Sequence, residues 1–121
     1  LVEGDPDPAQ KQVYDLVLAS QLAALDAIRP GAHGREVDAI SREPIAEAGY
    51  GERYGHGLGH GVGIEVHEPP RLSKRSDDTL LVGDVVTVEP GIYIPGEFGV
   101  RIEDLVVVAE DGYRNLSSRP K

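Results

Sequence analysis

The sequence predicts an α+β fold, two helices packed on a curved antiparallel sheet, and three observations carry that expectation. Apolar residues recur at helical spacing from Val13 to Ile28 and again from Val37 to Ala48. Beyond Tyr50 they gather instead into short, β-branched runs, and pairs containing glycine or proline separate those runs. Helices that precede strands, rather than alternating with them, cover one face of an antiparallel sheet.

The first helix starts from Gly4-Asp5-Pro6-Asp7-Pro8-Ala9-Gln10. Asp7 can cap it, Pro8 suits the first turn, and Gln10 stands where a capping box places Glu or Gln. Val13, Leu16, Val17, Ala24, Ala27 and Ile28 build one apolar stripe, and Pro30-Gly31 stops the helix. A second helix is expected over 35–48, with Val37, Ile40, Ile45 and Ala48 inward and Gly49 as a left-handed cap. Pro44 cannot donate to the carbonyl of Ile40 and crowds the preceding turn, so a kink or a restart is expected there. Strands are expected at 62–66, 80–82, 85–88, 92–94 and 100–108. Gly83-Asp84, Pro90-Gly91, Pro95-Gly96 and Asp111-Gly112 supply the φ values that tight turns require, so the strands should form an antiparallel meander.

A chain of 121 residues has room for one domain or part of one. With 40% hydrophobic and 27% charged residues it reads as globular rather than disordered. No run approaches the roughly 18–20 apolar residues of a membrane span, and no signal-peptide pattern opens the chain, so a cytoplasmic location and no membrane partner are expected. The absence of cysteine excludes disulfides, thiolate ligands and cysteine nucleophiles. A net charge of −9, with 12 basic residues scattered among 21 acids, opposes a phosphate-tracking surface, so nucleic acid is not an expected partner. The chain begins at Leu1 and contains no methionine, which reads as a processed, cleaved or truncated product.

Three of the four histidines, His56, His60 and His67, fall between Tyr54 and Glu68, where glycine holds every second position from 55 to 63. Such glycine is costly in a strand and useful where backbone passes close to a ligand or metal. The plainer reading is a glycine-rich loop with surface histidines. His60 and His67 would stand roughly 23 Å apart on a straight strand at about 3.3 Å per residue, so a shared site requires the chain to bend. Alternating glycines would not hold the helix of a paired-histidine metal motif, and no Gly-Lys-Ser/Thr completes a P-loop. Glu89 ends an apolar strand just before Pro90-Gly91, where a carboxylate is either bound to a metal or hydrogen-bonded to the turn that follows. Strand alternation over 100–108 puts Arg101 and Glu103 on one face with Leu105 and Val107, which by itself favours a simple ion pair at a sheet edge. His60, Glu89 and Glu103 together supply one imidazole and two carboxylates, a set suited to Zn²⁺, Mn²⁺, Co²⁺ or Fe²⁺.

Four motifs in order, His56-Gly57-Leu58-Gly59-His60-Gly61, Val66-His67-Glu68, Val88-Glu89-Pro90-Gly91 and Val100-Arg101-Ile102-Glu103-Asp104, resemble those of the pita-bread metallopeptidases, over essentially the whole chain. The last motif resembles the prolidase and aminopeptidase P branch more than the methionine aminopeptidases. The resemblance implies the C-terminal half of a pita-bread catalytic domain, spanning 1–121. It implies hydrolysis of the peptide bond preceding proline in a peptide or dipeptide, with two divalent metal ions, Mn, Co or Zn, as cofactors. His60, Glu89 and Glu103 match three of the family's five metal ligands, with Glu103 bridging both ions. His56 and His67 match residues that contact substrate and stabilise the developing oxyanion. Glu89 also matches the proton shuttle, and Arg101 a position that orients the acids.

The remaining two ligands of the family are aspartates that precede the segment matched here. Glu3, Asp5 and Asp7 read as turn and cap residues rather than as displaced ligands. The 121 residues alone are therefore expected to hold at most one metal weakly and to be inactive. The intact parent is expected to be a homodimer, and the isolated chain to self-associate. A non-catalytic relative that binds peptides or proteins in its cleft is the alternative, and the presence of His60, Glu89 and Glu103 counts against it.

Overall fold

A computed structural model of the chain describes residues 8–62 and 68–117. Helix α1 runs over Pro8–Asp26 and α2 over Gly34–Glu47, followed by a single 3₁₀ turn at Gly51–Arg53. Among the described residues seven strands follow: β1 Gly59–Gly61, β2 Glu68–Leu72, β3 Val85–Val88, β4 Gly91–Ile94, β5 Phe98–Arg101, β6 Asp104–Ala109 and β7 Gly112–Asn115. β2-β1-β3-β6-β7 form one sheet, β4-β5 a separate two-stranded ribbon, and every pairing is antiparallel. The two-helix, antiparallel α+β expectation holds. The meander is interrupted, because β3 pairs with β6 and the β4-β5 hairpin leaves the sheet between them.

α1 buries Val13, Val17, Ala24 and Leu25, with Ser20 and Gln21 buried between them. The helix ends at Asp26, and Ala27 and Ile28 continue inward through turn bonds to the carbonyls of Ala24 and Leu25. Asp7, the expected cap, lies outside the described residues. α2 is continuous through Pro44, so of the two expected outcomes, a kink or a restart, the restart does not occur. Its buried face is Gly34, Val37, Asp38, Ser41 and Ile45, whereas Ile40 and Ala48 are exposed, contrary to the expected apolar stripe. The helix turns a polar pair of residues inward, and that rotates Ile40 to solvent. Gly49 has φ +93° and ends the helix as expected.

The apolar run at 80–82 is not a strand. Leu80 alone is buried, held by Ala32 and Gly31 backbone bonds, while Leu81 and Val82 are exposed at the turn before β3. The run at 100–108 is two strands, β5 and β6, in different sheets. The strand expected at 62–66 lies largely outside the described residues; β1 is Gly59–Gly61. β2 and β7, which no apolar run announces, close the two edges of the sheet, where prolines and polar side chains are tolerated.

Two apolar clusters fill the molecule. One packs Leu25, Ile28, Leu58, Leu72, Val86 and Val106 between helices and sheet. The other packs Val13, Val17, Ile45, Tyr54, Ile92 and Val100 between helices and ribbon. Among the described residues, no helix is long and apolar enough to cross a membrane.

β1 lies so close to β3 that a Cβ on Gly59 would meet the Thr87 carbonyl oxygen at 1.8 Å. Only glycine permits that approach. Gly59→Ala is therefore expected to lower stability by roughly 3 kcal/mol, the upper range for overpacking. Urea unfolding checks this, and a midpoint equal to wild type would show that β1 has room to move.

Candidate metal and substrate site

The antiparallel register of β1 and β3, fixed by Gly61 opposite Val86, brings the strand carrying His60 against the strand that ends before Glu89. The Glu89 amide donates to the Leu58 carbonyl (2.8 Å), and the His60 amide donates to Thr87 Oγ1 (3.1 Å). Glu89 thus stands diagonal to His60 across the strand pair, and their side chains share one face. His60 Nε2 and Glu89 Oε2 are 3.7 Å apart, with the two side chains 20% and 17% exposed. A carbonyl can only accept, so the contact of His60 Nδ1 with Gly61 O (3.0 Å) makes Nδ1 the protonated nitrogen and turns Nε2 toward the carboxylate. Metal-ligating histidines commonly hold their second nitrogen in this way.

His56 sits beside them. Its Nδ1 donates to Gly57 O (2.6 Å), and its Nε2 lies 2.7 Å from the Tyr93 hydroxyl. A cavity of about 420 Å³ joins His56, His60 and Glu89, and Arg71 and Ser73 also line it. Arg101 and Glu103 form a separate ion pair at 3.7 Å, about half exposed (51% and 49%), as their shared face led one to expect. They are not on one continuous strand, because the chain leaves β5 at Arg101 and enters β6 at Asp104. Among the described residues, no three histidines or carboxylates form a ready cluster for a metal ion. His67, Glu3, Asp5 and Asp7 lie outside those residues.

Tyr93, which sequence reasoning passed over, links the two halves of the site. Burial raises its pKa, the charge and hydrogen bond of Arg101 pull it back, and the nearby carboxylates of Glu89 and Glu103 raise it again. Its ring rests where a Cβ on Gly55, Gly91 or Gly99 would approach within about 3 Å. Those glycines, flanking an aromatic between two apolar residues, were the available signal.

Asp38 and Arg42 were also missed. They pair through two bonds, Arg42 Nε to Oδ2 (2.9 Å) and a terminal nitrogen to Oδ1 (3.1 Å), with side chains 1% and 17% exposed. Arg42 donates further to His56 O (3.0 Å), and Asp38 accepts from the Leu58 amide (3.0 Å). The pair grips the backbone on both sides of Gly57. The Arg42 guanidinium also lies 4.0 Å from the Tyr54 ring centroid, and the Tyr54 hydroxyl bonds Ser41 Oγ (2.7 Å). Burial pushes the Tyr54 phenol well above its ordinary value.

Metallopeptidase family M24 matches residues 1–110. Xaa-Pro dipeptidases of Pyrococcus horikoshii and Pyrococcus furiosus are each 48% identical over 117 residues, 97% of this chain but 33% and 34% of those proteins. The crystal structure of the prolidase from Pyrococcus horikoshii OT3 superposes with a TM-score of 0.97 and 46% identity, over 100% of this chain and 35% of that one. That of the X-Pro aminopeptidase from Thermotoga maritima MSB8 gives 0.92 and 48%, over 97% and 33%. The chain spans about a third of the length of the curated relatives it matches.

Two predictions follow from this geometry. Arg42→Met leaves Asp38 buried without its partner and should cost about 3–5 kcal/mol, whereas Asp38→Leu combined with Arg42→Met should recover much of that. Chemical denaturation of both variants decides it; equal losses would mean the pair is not a coupled unit. The second concerns alkali. A phenol with a raised folded-state pKa keeps its proton longer when folded, so its stability contribution is intact below about pH 10 and is lost as pH rises further. Tyr54→Phe should flatten that alkaline loss in urea unfolding, and an unchanged slope would place its cause elsewhere.

Proposed function

The chain belongs to metallopeptidase family M24, and from that premise we propose that the protein carrying it hydrolyses the peptide bond preceding proline, with two divalent metal ions as cofactors. The observation that carries the reading is the paired orientation of His60 Nε2 and Glu89 Oε2 at 3.7 Å. That spacing is within the combined reach of two bonds of roughly 2.0–2.2 Å to one ion. The donors are imidazole and carboxylate in a chain without cysteine, which suits Mn, Co or Zn. The names of the similar proteins, Xaa-Pro dipeptidase and X-Pro aminopeptidase, supply the substrate class.

On this reading residues 1–121 are the C-terminal half of the catalytic domain, and His60, Glu89 and Glu103 hold the metals. The ions, when bound, would activate water and polarise the scissile carbonyl. Glu89, at the cavity wall, would accept a proton from the attacking water and return it to the leaving amine. His56 and His67 contact the substrate, His56 through the Nε2 atom that faces the Tyr93 hydroxyl. Arg101 orients the Glu103 carboxylate through an open ion pair, and the backbone of Glu103 is restrained by other contacts. The 121 residues alone bind at most one metal weakly and do not turn over, because three ligands, His60, Glu89 and Glu103, are too few for a two-metal centre. We further propose that the isolated chain self-associates and that the intact protein is a homodimer.

In the intact protein, His60→Ala should abolish metal occupancy and activity together, whereas His67→Ala should lower turnover with metal retained. Glu89→Gln should remain folded with turnover reduced by at least about 100-fold. Metal analysis and a Xaa-Pro hydrolysis assay on the same samples test all three. Equal metal loss in the two histidine variants would overturn the division between ligands and substrate contacts. Two tightly held metals and hydrolysis by the 121 residues alone would overturn the predicted inactivity.

A further inference from the structure

Gln21 occupies the position four residues after Val17 and three before Ala24, on the buried stripe of α1, where an apolar side chain would pack without penalty. It is fully buried. Its Nε2 donates to two backbone carbonyls, Val88 O and Ile102 O, each at 3.3 Å. Those two residues immediately precede Glu89 and Glu103. The amide orientation is fixed, since Oε1 in its place would face two acceptors. Oε1 itself finds no hydrogen-bond partner among the described residues. A buried unpaired acceptor is a cost that leucine or methionine would avoid.

The contact falls where the sheet can no longer do the same work. β3 and β6 are paired up to Val88 opposite Asp104, and there the ladder stops, because the chain departs into the β4-β5 ribbon. Beyond it the Ile102 amide donates to Pro90 O (3.2 Å). The peptides that carry Glu89 and Glu103 therefore leave the ladder side by side, with one side chain from α1 bonded to both.

We propose that Gln21 is a positioning residue for the metal site, clamping the peptides that precede Glu89 and Glu103 so that the two carboxylates keep a fixed separation. The inference rests on the metallopeptidase reading above. Ligating groups must be held to about half an ångström, and supports one step removed from a metal change its affinity about 10–100-fold when lost.

The test is Mn²⁺ titration of the intact protein, followed by electron paramagnetic resonance, for wild type and Gln21→Met, with thermal melting of both. The expected result is Mn²⁺ affinity weakened about 10–100-fold in a variant that keeps its circular dichroism. A variant that melts earlier but binds Mn²⁺ as wild type does would make Gln21 merely structural and overturn the proposal. Should Gln21→Met fail to fold, the wild-type side-chain amide resonances of Gln21 are followed during Zn²⁺ loading. They are expected to shift at saturation, and resonances that stay put overturn the proposal. Wild-type protein that binds neither metal would overturn the metallopeptidase reading and this inference together, whereas metal-binding wild type with an indistinguishable variant overturns this inference alone.

Discussion

The buried ion pair of Asp38 and Arg42 is the constraint on which the site's geometry depends. Withdrawing two charges from water costs several kcal/mol each, and only a complete set of partners offsets that. Asp38 finds its partners in the Arg42 guanidinium and the Leu58 amide, Arg42 in the carboxylate, the His56 carbonyl and the Tyr54 ring. The charges can be satisfied only with the backbone of residues 56–58 drawn against α2. Leu58, so placed, offers its own carbonyl to the Glu89 amide. A helix on one side of the sheet thereby fixes a carboxylate on the other through two successive hydrogen bonds.

The remainder of the site hangs from the same scaffold by different means. Ser20 of α1 bonds both the hydroxyl and the carbonyl of Ser41, and Ser41 bonds Tyr54, so the two helices and the loop before His56 share one buried polar chain. Tyr93 reaches from the ribbon to His56 at 2.7 Å. Its seat among glycines is the reason that ribbon can lie over the loop. These polar links replace apolar packing in the middle turn of each helix, and the two apolar clusters lie to either side of them.

How legible this was in the sequence follows from what each residue touches. Both helices and the strands at 85–88 and 92–94 announced themselves, since their inward residues are apolar and periodic. The edge strands β2 and β7 did not, because Glu68-Pro69-Pro70-Arg71-Leu72 and Gly112-Tyr113-Arg114-Asn115 have little apolar surface to bury and the sheet needs only one side of each. Leu80-Leu81-Val82 misled for the converse reason: one leucine enters the core and its neighbours ride on a turn. His60 and Glu89 were singled out from their motifs, and the β1–β3 register sets their side chains 3.7 Å apart. Asp38, Arg42, Ser41 and Gln21 were invisible as site residues, because a polar residue on a helix is read as solvent-facing unless its partners beyond that helix, 13 to 81 positions away, are known. Ile40 was assigned inward by the same error in reverse.

The two ends of the candidate ligand set differ in a way that bears on how they would work. His60 and Glu89 are four-fifths withdrawn from solvent, on strands held by ladder bonds and by the Asp38 chain. Glu103 is half exposed, on a two-residue break between strands, and its partner Arg101 is equally open. Water competes for an exposed carboxylate far more effectively than for a sheltered one, and an exposed ion pair holds its geometry poorly. On the proposed reading, the first metal taken up by these residues is held at His60 and Glu89, and Glu103 contributes only as far as its backbone is restrained. Within this chain that restraint comes from the Ile102 peptide, bonded to Pro90 on one side and to Gln21 on the other.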